Sequence, residues 1–152
     1  MKHTLKSGFT LIELLIVIAL IAVLAGAVII ALNPARQFQQ ARNSERWSHT
    51  SALSNSIQQF IAENRGTWTC TTTIPVVATN ISSADLPGFC GCLVPGNLAA
   101  LPTDPIDTNT YYFNSCLDYN TGYTIVASST GRITIAAPQT EIDGVPDISV
   151  TQ

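Results

Sequence analysis

Histidine is nearly missing from this chain of 152 residues: there are two, His3 and His49, and none follows. A Ser-His or Cys-His nucleophilic pair in the C-terminal part would therefore have to recruit His49. Zinc chemistry is equally short of ligands, because the four cysteines form no pair of CxxC motifs and no histidine lies among them. Basic residues are the second scarcity. From Leu53 onward Arg65 and Arg132 face eight acidic residues, a net charge near minus six. That excludes the basic, aromatic-interleaved surface of a nucleic-acid binder, and no nucleic acid is expected among the partners. Two pairs of acids, Asp104 with Asp107 and Asp143 with Asp147, have the chemistry for acid–base work, but solvated turn carboxylates are their ordinary role. No enzymatic activity and no cofactor is expected.

What the chain does have is one long apolar run. A basic leader with Lys2 and Lys6 leads through Gly8 and Phe9 into 24 residues, 9–32, in which Glu13 is the only ionisable side chain. At about 1.5 Å per residue a helix of this length spans roughly 36 Å, enough for a hydrocarbon core of about 30 Å. A carboxylate there costs about 2.5–3.5 kcal/mol or more and so needs a reason. Three readings compete. A secretory signal would be cut at Ala25-Gly26-Ala27, but the apolar run continues to Leu32 and Glu13 sits near its start. A plain single-span anchor with the lysines in the cytoplasm leaves Glu13 unexplained. A cut between Gly8 and Phe9 keeps the helix in the mature chain and frees an amine at Phe9, which Glu13 of a neighbouring copy can neutralise. Inside a low-dielectric bundle, an opposite charge a few ångströms away offsets much of the desolvation cost.

The third reading is carried by residues 6–25. With the Gly8-Phe9 junction followed by Thr10-Leu11-Ile12-Glu13, they resemble the type IV pilin and pseudopilin family. The resemblance implies a leader, residues 1–8, removed by a prepilin peptidase after Gly8, and N-methylation of the new amine at Phe9. It implies a helix, residues 9–32, that is single-pass in the inner or cytoplasmic membrane before assembly. An assembly platform then extracts it into a helical homopolymer on the cell surface, with Glu13 setting the register. The expected function is a structural subunit of an extracellular type IV pilus. The alternatives are a pseudopilin of a type II secretion system, or a minor or competence pilin that binds DNA or a surface ligand.

Beyond the run the pattern becomes amphipathic over residues 33–65, read as a continuation of the same helix that would reach some 56 residues. Pro34 is expected to kink it; family filaments melt part of this helix. Leu53, Ile57, Phe60 and Ile61 form one apolar stripe, with Trp47 a turn or more below, suited to packing on a sheet. Arg36, Arg42 and Arg46 read as a solvated helix face. Arg65-Gly66 supplies the stop signal.

Residues 66–152 form the rest of the domain. Cys70, Cys90, Cys92 and Cys116 read as two disulfides outside the cytoplasm. A Cys90–Cys92 bond is disfavoured by proximity, which leaves Cys70–Cys90 with Cys92–Cys116, or Cys70–Cys92 with Cys90–Cys116. Residues 67–110 lack periodicity, and the Thr-rich patch 67–73 is a candidate strand. Asn80-Ile81-Ser82 fits a glycosylation pattern and is expected to be an unmodified loop. Strand-like runs follow at 111–114, 123–128 and 132–136, with an edge strand near 148–150. The predicted class is α+β, a long N-terminal helix on an antiparallel meander of three to four strands. Leu101-Pro102-Thr103-Asp104-Pro105 resembles a stretch of the major pseudopilins, in which a nearby loop binds calcium. Asp104, Asp107 and Asp118, with Asn109, are the candidate oxygen ligands here, although the turn chemistry of Asp104 and Asp107 competes with that role and no metal is expected.

Overall fold

In the computed structural model the described residues are 8–107, 109–142, 144 and 146–152. Most of the leader and Asp143, one member of an acid pair, lie outside them. The chain divides into two units, one ending at Phe38 and the other running from Gln39 to Gln152.

The N-terminal helix α1 covers Leu11–Leu32 and α2 covers Pro34–Glu63. One uninterrupted helix of 56 residues is therefore corrected to helices of 22 and 30 residues. The break is at Asn33, whose backbone is left-handed (φ 41°), a conformation that asparagine tolerates better than most residues. Its Oδ1 then accepts from the Arg36 backbone N–H, so the same residue closes α1 and caps α2. Pro34 does not kink a continuous helix. It opens the second one, where its missing N–H is no loss and its fixed φ suits the first turn. At the far end α2 stops at Glu63, and Arg65 and Gly66 are both left-handed, with the Gly66 N–H donating to the Ile61 carbonyl.

The second unit contains five strands: β1 (Thr79–Ser82), β2 (Tyr112–Ser115), β3 (Asp118–Ala127), β4 (Ile133–Ala137) and β5 (Ile148–Thr151). A one-and-a-half-turn helix, α3 (Phe89–Leu93), follows β1. The long strand β3 organises the sheet. On one edge it pairs with β1, Asn80 opposite Thr124 and Ser82 opposite Asn120. On the other edge β2 and β4 lie end to end, Tyr112 opposite Asn120 and Ala136 opposite Thr124, and β5 pairs outside β4. The arrangement is α+β as expected, but with five strands, and it is not a simple meander. The first strand falls at 79–82, not in the Thr-rich patch at 67–73, and it includes the Asn80-Ile81-Ser82 pattern expected in a loop. With a single apolar residue, Ile81, the segment has no legible alternation.

Leu53 and Ile57 of α2 join Ile81, Phe89, Leu93, Tyr119, Tyr123, Ile125, Ile135 and Ile148 in one core, with Phe60 and Ile61 packed against it. Each such side chain contributes about 1.5–3 kcal/mol through burial. The expected stripe is thus borne out from Leu53 to Ile61. Trp47 is not part of it and remains 50% exposed. The buried line continues instead through Thr50, Arg46 and Asn43, which keep the same spacing of three and four residues.

The two neighbours of β3 on its shared edge meet around Gly122, whose φ is +77°. A Cβ there would lie 2.7 Å from Cδ1 of the Tyr111 ring, which packs directly on the bare backbone. Gly122→Ala is expected to cost about 2–4 kcal/mol, from the left-handed backbone and the clash together. Denaturant melts of the full chain in detergent test this, with part of the loss restored when Tyr111→Ala is added.

Candidate functional site

The candidate site starts at the junction Gly8-Phe9 and runs along α1. Thr10 is the helix cap, in extended conformation, and its Oγ1 accepts from the Glu13 N–H at 3.3 Å. The Glu13 carboxylate reaches back. Its Oε2 accepts from the Thr10 N–H at 3.3 Å and from the Thr10 hydroxyl at 3.2 Å. This reciprocal capping box satisfies donors that every helix start leaves open, and a negative charge in the first turn also suits the helix dipole. Glu13 therefore has a use inside one chain that sequence reading overlooked, although Thr10-x-x-Glu13 spells the motif. The carboxylate also stands at the end of the apolar span and not at its centre, where a charge would cost most.

From Leu11 to Ile29 the helix is long and apolar enough to cross a membrane, and none of it is buried. Phe9, Leu11, Ile12, Leu15, Ile18 and Leu24 are all exposed, so apolar side chains face outward all round rather than along a stripe.

The second unit has its own polar centre. Arg46, expected on a solvated face, has no exposed surface. Its Nε and Nη2 donate to the two carboxylate oxygens of Asp104 at 2.7 and 2.9 Å, and its Nη1 donates to Asn43 Oδ1 and to Glu141 Oε2 at 2.7 and 3.0 Å. Arg42 makes a second fork onto Glu141 at 2.6 Å through each of Nε and Nη2. Asn43 completes the clamp: its Nδ2 donates to the Glu141 carbonyl and its Oδ1 accepts the Glu141 N–H. Burial opposes the Arg46 charge, but the hydrogen bonds to Asp104 and Glu141 outweigh it and hold the guanidinium above its ordinary pKa. Glu141 is held below the ordinary carboxylate value, chiefly by Arg42 and then by Arg46. Beside this clamp the Tyr123 hydroxyl lies 2.8 Å from His49 Nδ1. Burial, followed by the nearby Asp104 charge, pushes the Tyr123 phenol far up. His49 thus meets a phenol and, at 3.8 Å, the Glu45 carboxylate.

The calcium candidates are not brought together. Asp104 gives both oxygens to Arg46 and accepts the Ile106 N–H, so its turn role is joined to an ion pair. Asp107 accepts from the Asn109 N–H and the Thr110 hydroxyl, which lower its pKa, and Asp118 accepts from Asn114. Among the described residues no three His, Cys, Asp or Glu side chains are grouped to hold a metal ion. The donor set does not fit calcium, because its central carboxylate already faces a fixed cation.

The disulfides are Cys70–Cys92 and Cys90–Cys116. Helix α3 selects between the two pairings left open by sequence. Residues two apart on a helix point to opposite sides, so Cys90 enters the core while Cys92 faces outward.

Two outcomes follow from the clamp. Arg46→Ala, which leaves Asp104 buried without a counter-charge, should cost about 3–5 kcal/mol in denaturant melts, and an Arg46→Met/Asp104→Leu double variant should cost less than its two single changes combined. The Glu141 contribution is depressed-carboxylate stability: full above the ordinary value of 4.5 and lost as pH falls through the lower folded value. Glu141→Gln should therefore melt below the wild type at pH 7, and thermal scans should show the gap closing as the pH is taken well below that value.

No curated protein and no solved structure matches the chain. Residues 4–29 match the family model described as the prokaryotic N-terminal methylation motif. The match spans the junction, the capping box and the apolar helix as far as Ile29. The motif match, with the apolar helix and the α+β domain, supports a type IV pilin-like or pseudopilin precursor.

Proposed function

We propose that the chain is the structural subunit of an extracellular type IV pilus. A prepilin peptidase removes the leader after Gly8 and methylates Phe9. The processed chain waits in the inner or cytoplasmic membrane until an assembly platform transfers it into a helical polymer of itself. The observation that carries this reading is α1: an unburied helix, apolar on every side, whose only charge stands in its first turn. Lipid satisfies such a surface before assembly, and neighbouring α1 helices satisfy it afterwards. The Phe9 amine lies one residue before the cap that Glu13 closes, so a neighbour's amine can meet a carboxylate already held in place by Thr10.

One stretch favours the secretion pseudopilin as a second reading, Leu101-Pro102-Thr103-Asp104-Pro105. Its Asp104 is occupied by Arg46, which weighs toward the pilus. The two arginine forks also leave little positive charge for DNA, since Arg42 and Arg46 both face carboxylates. Loss of surface fibres on gene deletion supports the pilus, whereas loss of exoprotein secretion alone supports the pseudopilin.

Glu13 separates capping from charge pairing. Glutamine can still close a capping box, but it cannot neutralise an amine. Glu13→Gln and Glu13→Ala should both insert in the membrane and be cut after Gly8. Both should lower the yield of sheared fibres by roughly tenfold or more, given what an unpaired charge costs in a low-dielectric core. Normal fibres from Glu13→Gln with none from Glu13→Ala would reduce the role of Glu13 to capping.

A further inference from the structure

The two disulfides differ in what surrounds their sulfurs. Cys70 and Cys92 are both partly exposed, and their Sγ atoms lie 3.7 and 3.5 Å from the Gly88 carbonyl on the solvent side of the domain. In the other bridge Cys90 is fully buried in the core, and only Cys116 is partly exposed. Thiol–disulfide exchange requires an attacking thiolate to reach one sulfur while the other leaves as a thiolate. At Cys70–Cys92 either sulfur is reachable and either leaving thiolate is met by water. Attack at Cys116 would expel the Cys90 thiolate into apolar surroundings, where a thiolate is disfavoured and leaves poorly.

The outer bridge fastens a strap, residues 67–75, that carries Trp68. The indole lies against Phe60 and Phe89, with ring centroids 5.0 and 5.8 Å away, and so covers one side of the core. Its Nε1 donates to the Thr72 carbonyl, a bond within the strap itself. The remaining fastenings are one apolar contact and a few polar ones. Ile74 packs against the core, and Thr67 donates its N–H and hydroxyl to the Asn64 carbonyl at the strap's start. The Thr72 hydroxyl donates to the Pro87 carbonyl, the strap closes on Gly88, where a Cβ would sit 2.8 Å from Thr71 Oγ1, and the Pro75 carbonyl accepts the Ala127 N–H. No strand of the sheet includes any residue of the strap. Opening Cys70–Cys92 leaves the sheet and the Cys90–Cys116 bridge intact while releasing the strap's disulfide cross-link to α3.

We propose that Cys70–Cys92 is a thiol-exchange site that opens to a dithiol ahead of Cys90–Cys116 and lets the Trp68 strap lift from the Phe60–Phe89 face. The co-reactant is an external small-molecule dithiol: one of its thiolates attacks Cys70 or Cys92, forming a mixed disulfide and releasing the other cysteine as a thiolate, which takes up a proton. The second thiol of the reagent then closes on the mixed disulfide. The cysteine pair gains two electrons and two protons, and the dithiol becomes a disulfide. The surface exposed beneath is apolar and aromatic, so the redox state of one bridge governs whether this domain presents a sticky face. The inference is independent of the filament reading.

The test treats the full chain in detergent micelles with limiting dithiothreitol, in a Trp47→Phe background that leaves Trp68 as the only tryptophan. Rapid alkylation and peptide mass spectrometry read each cysteine, and emission reads the indole. Labelling of Cys70 and Cys92 should outpace that of Cys90 and Cys116 by roughly tenfold or more. Trp68 emission should move to longer wavelength in step with it and return on reoxidation. A Cys70→Ser/Cys92→Ser variant should show the shifted emission without reductant. Simultaneous labelling of all four cysteines, earlier labelling of the inner pair, or an opened outer bridge with unchanged emission would each overturn the proposal. The wild-type labelling order decides by itself if the serine variant does not fold.

Discussion

The Arg46 guanidinium is the point on which the second unit depends. Taking an ion of this size out of water carries a penalty of several kcal/mol, which only well-placed partners offset. Its partners come from three places: Asn43 one turn earlier on α2, Asp104 at a sequence separation of 58, and Glu141 at a separation of 95. None of the three segments can pack alone without leaving a charge or a carboxylate bare. The loop through Leu101 and the tail after β4 are thus fixed to the helix by a condition on charge, while Leu53 and Ile57 fix the same helix to the sheet by area.

This arrangement explains why so few basic residues suffice in an acidic domain. Arg46 is buried and Arg42 half-buried; together they neutralise Asp104 and Glu141 and leave the outside anionic. It also bears on the resemblance of residues 101–105 to the major pseudopilins. The aspartate of that stretch, Asp104, faces a guanidinium from the chain's own helix α2, which holds the loop to it.

Much of this was legible in the sequence, and the failures have physical reasons. The leader, the apolar helix, the stripe from Leu53 to Ile61 and the strands around Tyr123, Ile135 and Ile148 all carry strong periodicity or a dense motif. Strand β1 does not, because Ile81 is its one apolar residue. Helix α3 is too short for a period of its own, yet it decides the disulfide pairing. The charge of Arg46 argues for solvent, although its spacing of four, seven and eleven residues from Thr50, Leu53 and Ile57 places it on the buried line. The break at Asn33 was foreshadowed by Pro34, but proline marked the start of a helix and not a kink within one.

On the proposed reading the two units divide the labour of a filament protein. A helix that buries nothing of itself needs other molecules on every side, and a domain with its own core, ion clamp and disulfides needs none. Protein identification on fibres sheared from cells and imaged by electron microscopy, with an intact mass for the constituent chain, tests that division most directly. This chain as the dominant fibre protein, beginning at a methylated Phe9, is the expected result. Fibres lacking it, or a mature chain that begins after Ala27, would contradict the filament assignment.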